Sequence, residues 1–110
     1  MTSPNREVTA QVKVSNTIFA LNRASRLYTS LMTVTNTGST TINGPIQTVI
    51  RNLPASVTLA NPSGTYSGSP YITVSTGSLA PGASASILLQ ANDPNAIPVS
   101  FTTLTYSGSL

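Results

Sequence analysis

The chain contains no cysteine, no histidine and no tryptophan. Without cysteine there is neither a disulfide framework nor a thiolate metal site. Without histidine, the commonest general base, the commonest metal ligand and the neutral-pH switch are lost together. Charge is scarce as well. Charged residues make up 6% of the chain, against roughly 25% in an ordinary soluble domain. They are Arg6, Glu7, Lys13, Arg23, Arg26, Arg51 and Asp93. Five bases against two acids set a basic isoelectric point, which is not evidence of a basic face. No apolar run approaches the roughly 18 residues that cross a bilayer, so membrane insertion is not expected. The start, Met1-Thr2-Ser3-Pro4-Asn5, lacks the charged and apolar regions of a signal peptide. For an exported domain this reads as an excised piece with Met1 added. Asn16-Thr17-Ile18 misses the N-glycosylation sequon by having Ile at its third position.

Polarity comes instead from serine and threonine, 33 of 110 residues, with asparagine and glycine. Their hydroxyls solvate a surface without charge, and threonine favours strands. Such a surface suits an extracellular or cell-surface location. The length fits one domain, which buries roughly 65% of its unfolded surface and needs no covalent staple.

Along the chain, short β runs alternate with turn clusters. Val8, Ala10, Val12 and Val14 alternate with polar residues as one half-buried first strand. Thr17 to Leu21 is a second run, and Asn22 to Arg26 a polar hairpin connection. In the long strand from Leu27 to Asn36, Tyr28, Met32 and Val34 share one face while Leu27 and Leu31 share the other. A bulge or burial of both faces is expected there. Strands follow at Ile46 to Arg51, Val57 to Leu59, Tyr71 to Ser75, Ala83 to Ala91 and Pro98 to Tyr106, with a loop from Asn61 to Pro70. The expected core is Val12, Val14, Met32, Val34, Ile46, Ile50, Leu59, Ile72, Val74, Ile87, Leu89 and Phe101. Strands at this spacing with polar turns predict an all-β fold, a sandwich or barrel. Thr65-Tyr66-Ser67-Gly68-Ser69 recurs as Thr105-Tyr106-Ser107-Gly108-Ser109. So short a repeat in so Ser/Thr-rich a chain is read as two similar local turns.

One ordered set of segments spans nearly the whole chain. It runs through Leu21-Asn22-Arg23, Leu27-Tyr28-Thr29, Thr33-Val34-Thr35-Asn36-Thr37-Gly38 and Ile42-Asn43-Gly44-Pro45-Ile46. It continues with Leu53-Pro54, Val57-Thr58-Leu59, Gly68-Ser69-Pro70-Tyr71-Ile72 and Leu79-Ala80-Pro81-Gly82-Ala83-Ser84. It ends at Asp93-Pro94-Asn95 and Phe101-Thr102. This set resembles the bacterial Ig-like modules of large secreted and cell-surface proteins. The resemblance implies an immunoglobulin-like β-sandwich of seven to eight antiparallel strands with an accessory role. It brings no catalytic or ligand-binding residues with it. The domain is placed at residues 7–110, after an N-terminal extension at residues 1–6.

The residue types argue against an enzyme. A serine nucleophile has no histidine to activate it, and Lys13, the only lysine, lies on the polar phase of its strand. That phase also disfavours a Lys–Asn isopeptide bond, which needs a buried lysine. Glu7 and Asp93 begin the first strand and sit in a late turn, so paired-carboxylate chemistry has no support. No catalytic residue, cofactor or metal site is expected. Asp93 is read as bonding to its own turn, with a weak calcium site beside Asn95 as the alternative. Arg23, Arg26 and Arg51 release few counterions, so no nucleic acid partner is expected. The partners expected are neighbouring domains of a parent protein, with polysaccharide as the alternative. Sandwich modules that bind glycans present exposed aromatic rings, and here the binding candidates are Tyr66, Tyr71 and Tyr106, helped by Asn and Thr. For Tyr71, as for Tyr28 on its core phase, the other reading is a ring buried at the rim with a satisfied hydroxyl. The Thr-rich edges, lacking lysines, also leave strand-mediated self-association open. The expected function is a non-catalytic structural or spacer module, with binding of carbohydrate or protein as the alternative.

Overall fold

The computed structural model describes residues 6–108 and residue 110. Its strands are β1 (Arg6–Glu7), β2 (Val12–Asn16), β3 (Ala20–Asn22), β4 (Leu27–Asn36) and β5 (Ile46–Arg51). They continue with β6 (Thr58–Leu59), β7 (Gly64–Tyr66), β8 (Ser69–Ser75), β9 (Ser84–Asn92) and β10 (Thr102–Ser107). They form two antiparallel sheets. One has the order β1-β10-β5-β8-β7; the other has β2-β4-β9-β6, with β3 also on β4. These are ten segments where seven to eight strands were expected. The expected extension at residues 1–6 lies outside the described residues except for Arg6, which pairs with Ser107.

Alternation decides which face of each strand turns inward. Met32, Val34 and Leu89 from one sheet meet Ile46, Ile50, Ile72 and Val74 from the other in a single core. Val12, Val14, Leu59, Ile87 and Phe101 pack around it, only partly buried. Val8, Ile42, Val49, Val57, Leu79 and Ala91 are also buried, beyond the set expected from the sequence. Val74 turns inward two residues after Ile72, and a bulge leaves it unpaired: Ile46 pairs with Ser75 and Gln47 with Thr73. Polar groups on the inner faces are paired, as burial requires. The Thr48 and Thr105 hydroxyls lie 3.3 Å apart. Asn36, fully buried, donates from Nδ2 to the carbonyls of Thr40 and Leu79 at 2.8 and 2.9 Å. Its Oδ1 accepts from the Gly38 N–H at 2.9 Å. One side chain thus ties the end of β4 to two loops.

Four expectations about the strands need correction. The run from Val8 to Val14 is not one strand. A 3-10 turn at Thr9–Gln11 carries the chain from one sheet to the other, burying Val8 and leaving Ala10 exposed. The bulge expected in β4 lies on its partner instead. Asn16 pairs with Met32 and Ala20 with Thr29, so Thr17, Ile18 and Phe19 stand opposite Ser30 and Leu31. Thr17 repairs the ladder there: its N–H donates to the Leu31 carbonyl at 3.1 Å, and its Oγ1 accepts from the Leu31 N–H at 2.9 Å. β4 therefore keeps regular alternation. Leu31 sits on its outer face, directly across from Leu88, and both are exposed.

The third correction concerns the loop from Asn61 to Pro70, which contains the β7–β8 hairpin. Tyr66 pairs with Ser69 across Ser67 and Gly68, whose φ angles are 51° and 82°. Two positive angles in a two-residue connection suit the twist of a hairpin, and glycine takes such an angle without strain. The fourth is the edges. The one lysine, Lys13, stands exposed on the outer strand β2, beside the bulge. The other edge strands, β1, β3, β6 and β7, have two or three residues each. Charge, bulging and shortness are the devices that discourage edge pairing. The exposure of Lys13 also removes the buried lysine that an isopeptide bond requires.

Gly44 marks the closest backbone approach. A Cβ there would fall 2.2 Å from the Gly77 carbonyl oxygen. Since a carbonyl in the chain cannot swing away as a side-chain tip can, Gly44→Ala is expected to cost about 1–3 kcal/mol of stability. Gly77→Ala, with its nearest neighbour at 4.0 Å, is expected to cost less. Urea unfolding of both variants checks the difference.

Candidate functional site

The outer face of the β1-β10-β5-β8-β7 sheet carries all three tyrosines singled out in the sequence. Register places them. Tyr106 pairs with Glu7 on one side and Gln47 on the other. The next row runs Leu104, Val49, Tyr71, Gly64 across β10, β5, β8 and β7. Tyr66 lies two residues beyond Gly64 on the same face of β7. Val49 and Gln47 point outward yet are buried. The side chains above them form a second, smaller apolar layer outside the sandwich.

Tyr66 and Tyr106 meet, with ring centroids 5.2 Å apart and planes inclined at 60°. They line a depression of 270 Å³ with Val49, Arg51, Ser67, Ser69 and Leu104. Tyr71 stands apart from it. Its ring lies over Gly64, where a Cβ would come within 2.8 Å of Cε2. The glycine makes room for the ring, a packing role that removes Tyr71 from the depression. All three tyrosines are half-buried. They do not form a coplanar row, because Tyr66 and Tyr106 touch edge to face.

The two copies of the Thr-Tyr-Ser-Gly-Ser repeat thus place their tyrosines in contact. They do not form similar turns. Ser67 sits in the hairpin turn, whereas Ser107 is still paired with Ile46 inside β10. Arg51, read from the sequence only as a weak counterion site, joins the tyrosines because it ends β5 on the outer face. Arg23 and Arg26 belong to the β3–β4 connection on the other sheet.

The remaining acid, Asp93, lies elsewhere. It is buried, and its Oδ1 accepts from the Ile97 N–H at 3.1 Å while its carbonyl accepts from Ala96. It holds its own turn, as expected. Its Oδ2 is buried without a partner among the described residues. Asp93 borders a separate cleft of 450 Å³ lined chiefly by Ile18, Phe19, Tyr28, Ile97 and Val99. Asn95 is exposed. Among the described residues no three His, Cys, Asp or Glu side chains gather as a metal-binding group.

The Tyr106 phenol is raised above its ordinary value of 10.0, first by burial, then by the neighbouring Tyr66 and Glu7, with Arg51 pulling the other way. The neutral phenol is therefore favoured in the folded state. Its contribution to stability is complete below pH 10 and is lost as pH rises through the raised value. An alkaline absorbance titration of the folded protein is expected to show a late tyrosinate step that Tyr106→Phe removes.

Comparison with protein-family models, with curated proteins and with solved structures finds no match to this chain.

Proposed function

We propose that the chain is a non-catalytic Ig-like module of a larger secreted or cell-surface bacterial protein, appended to its neighbours as a stable cap. The Ig-like reading is supported by how the chain alternates between sheets. β4 and β9 pair in one sheet, while β5 and β10, which follow each of them in sequence, pair in the other. Such crossing connections are those of Greek-key sandwiches. The ordered segments that resemble bacterial Ig-like modules fall on these strands and their turns.

The single observation that carries the cap over the in-line spacer is the pairing of Arg6 with Ser107. The first described residue and the end of β10 thus lie side by side at one end of the sandwich. An in-line spacer needs them at opposite ends of a body 42 Å long. Because the chain has no cysteine, single cysteines placed before Met1 and after Leu110 take pyrene labels specifically. Excimer emission, which needs the two rings in contact, is expected. Monomer emission alone would return the module to the in-line arrangement.

A second reading, binding of polysaccharide, is favoured by the contact between Tyr66 and Tyr106 over the depression on the outer face. Half-exposed rings offer C–H-accepting faces to a sugar, and Ser67 and Ser69 offer hydroxyls. Retention on insoluble polysaccharide is expected to be lost in Tyr66→Ala and Tyr106→Ala and kept in Tyr28→Phe, which lies on the other sheet. Absence of retention on every matrix leaves the cap reading alone.

A further inference from the structure

We propose that the depression beside Tyr66 and Tyr106 takes an acidic sugar, a uronate unit of a polysaccharide, with Arg51 holding its carboxylate. The inference rests on the polysaccharide reading and names the class of sugar.

Size comes first. At 270 Å³ the depression falls just below the roughly 300–1,000 Å³ of pockets for drug-sized ligands. It accommodates one sugar ring with its neighbours in solvent. The chemistry of the lining comes next. Val49, Leu104 and the two tyrosine rings supply an apolar floor and wall, Ser67 and Ser69 supply hydroxyls, and Arg51 supplies the one full charge. The rings touch each other, so a sugar lies against them and not between them.

Charge then decides between neutral and acidic sugars. The chain has two acids, and neither lines the depression with Arg51. Asp93 is buried beside the other cleft. Glu7 is opposite Tyr106, whereas Arg51 is opposite Thr102. Four residues of strand separate those positions by about 13 Å. Arg51 is exposed at the strand end and lines the depression together with Tyr106. A planar fork of donors beside an apolar wall matches a carboxylate carried on a sugar ring. Glu7, at the far end of the tyrosine row, disfavours a second negative charge there. The site therefore takes one carboxylate, at Arg51, with the neighbouring units of the polymer in solvent.

Affinity electrophoresis of the full chain in gels containing polygalacturonate or neutral dextran tests this. Retardation by polygalacturonate and not by dextran is expected. Arg51→Gln is expected to weaken it about tenfold or more, the loss typical of a charged hydrogen-bond partner. The double variant Arg23→Gln/Arg26→Gln removes more charge from the other sheet and is expected to leave it unchanged. Equal weakening by both variants would reduce the effect to bulk charge and overturn the proposal. Retardation by dextran that depends on Tyr66 and Tyr106 but not on Arg51 would keep the polysaccharide reading and overturn the acidic-sugar assignment. Failure in every gel would overturn both.

Discussion

Everything in this fold depends on the contact between the two inner faces. Met32, Val34 and Leu89 on one sheet press on Ile46, Ile50 and Ile72 on the other. No disulfide assists them, and ion pairing has little to offer in a chain with two acids. Burial of apolar area at about 25 cal/mol per Å² must offset the ordering of the chain. The core cannot be wholly aliphatic, because so many residues are Ser or Thr. The chain resolves this by pairing the hydroxyls it buries. Thr48 faces Thr105, and Ser30 bonds to the bulged segment through Thr17.

That same surplus of hydroxyls shapes the outside. On the outer face of β4 and β9, Thr33 pairs with Ser86 and Thr35 with Ser84 at 2.9 and 2.7 Å. These hydroxyls satisfy one another on a face that also exposes Lys13, Leu31 and Leu88. The outer face of the other sheet differs. There Tyr106 and Tyr66 shelter Val49, and Arg51 stands at the margin. An apolar layer outside a sandwich does little for the main core, which lies on the other side of the sheet. The two outer faces thus differ in chemistry, one carrying hydroxyl ladders and the other half-buried rings beside a charge.

Much of this was legible in the residues. Alternation along Ser84–Asn92 placed Leu89 inside, and the polar phase of Lys13 placed it outside. The tyrosines were found as types, since aromatic rings are rare here. Their arrangement was not legible. Tyr66 and Tyr106 are separated by most of the second half of the chain, and their contact depends on the order β10-β5-β8-β7. Only the repeated Thr-Tyr-Ser-Gly-Ser hinted at it, and repetition alone says nothing of proximity. Arg51 was likewise visible as a charge but not as a neighbour of the rings.

By itself, then, the sequence determined the class of structure and the chemistry excluded from it. Period-two alternation between turn residues permits strands and little else, and missing side-chain types cannot be supplied by folding. Tertiary structure decided where strands change sheet, as at Thr9–Gln11. It decided on which strand the bulge falls, which outward residues are nonetheless covered, and which distant side chains meet. The physical reason is range. Alternation reports a residue's two immediate faces, whereas sheet order and register are set by the whole core at once.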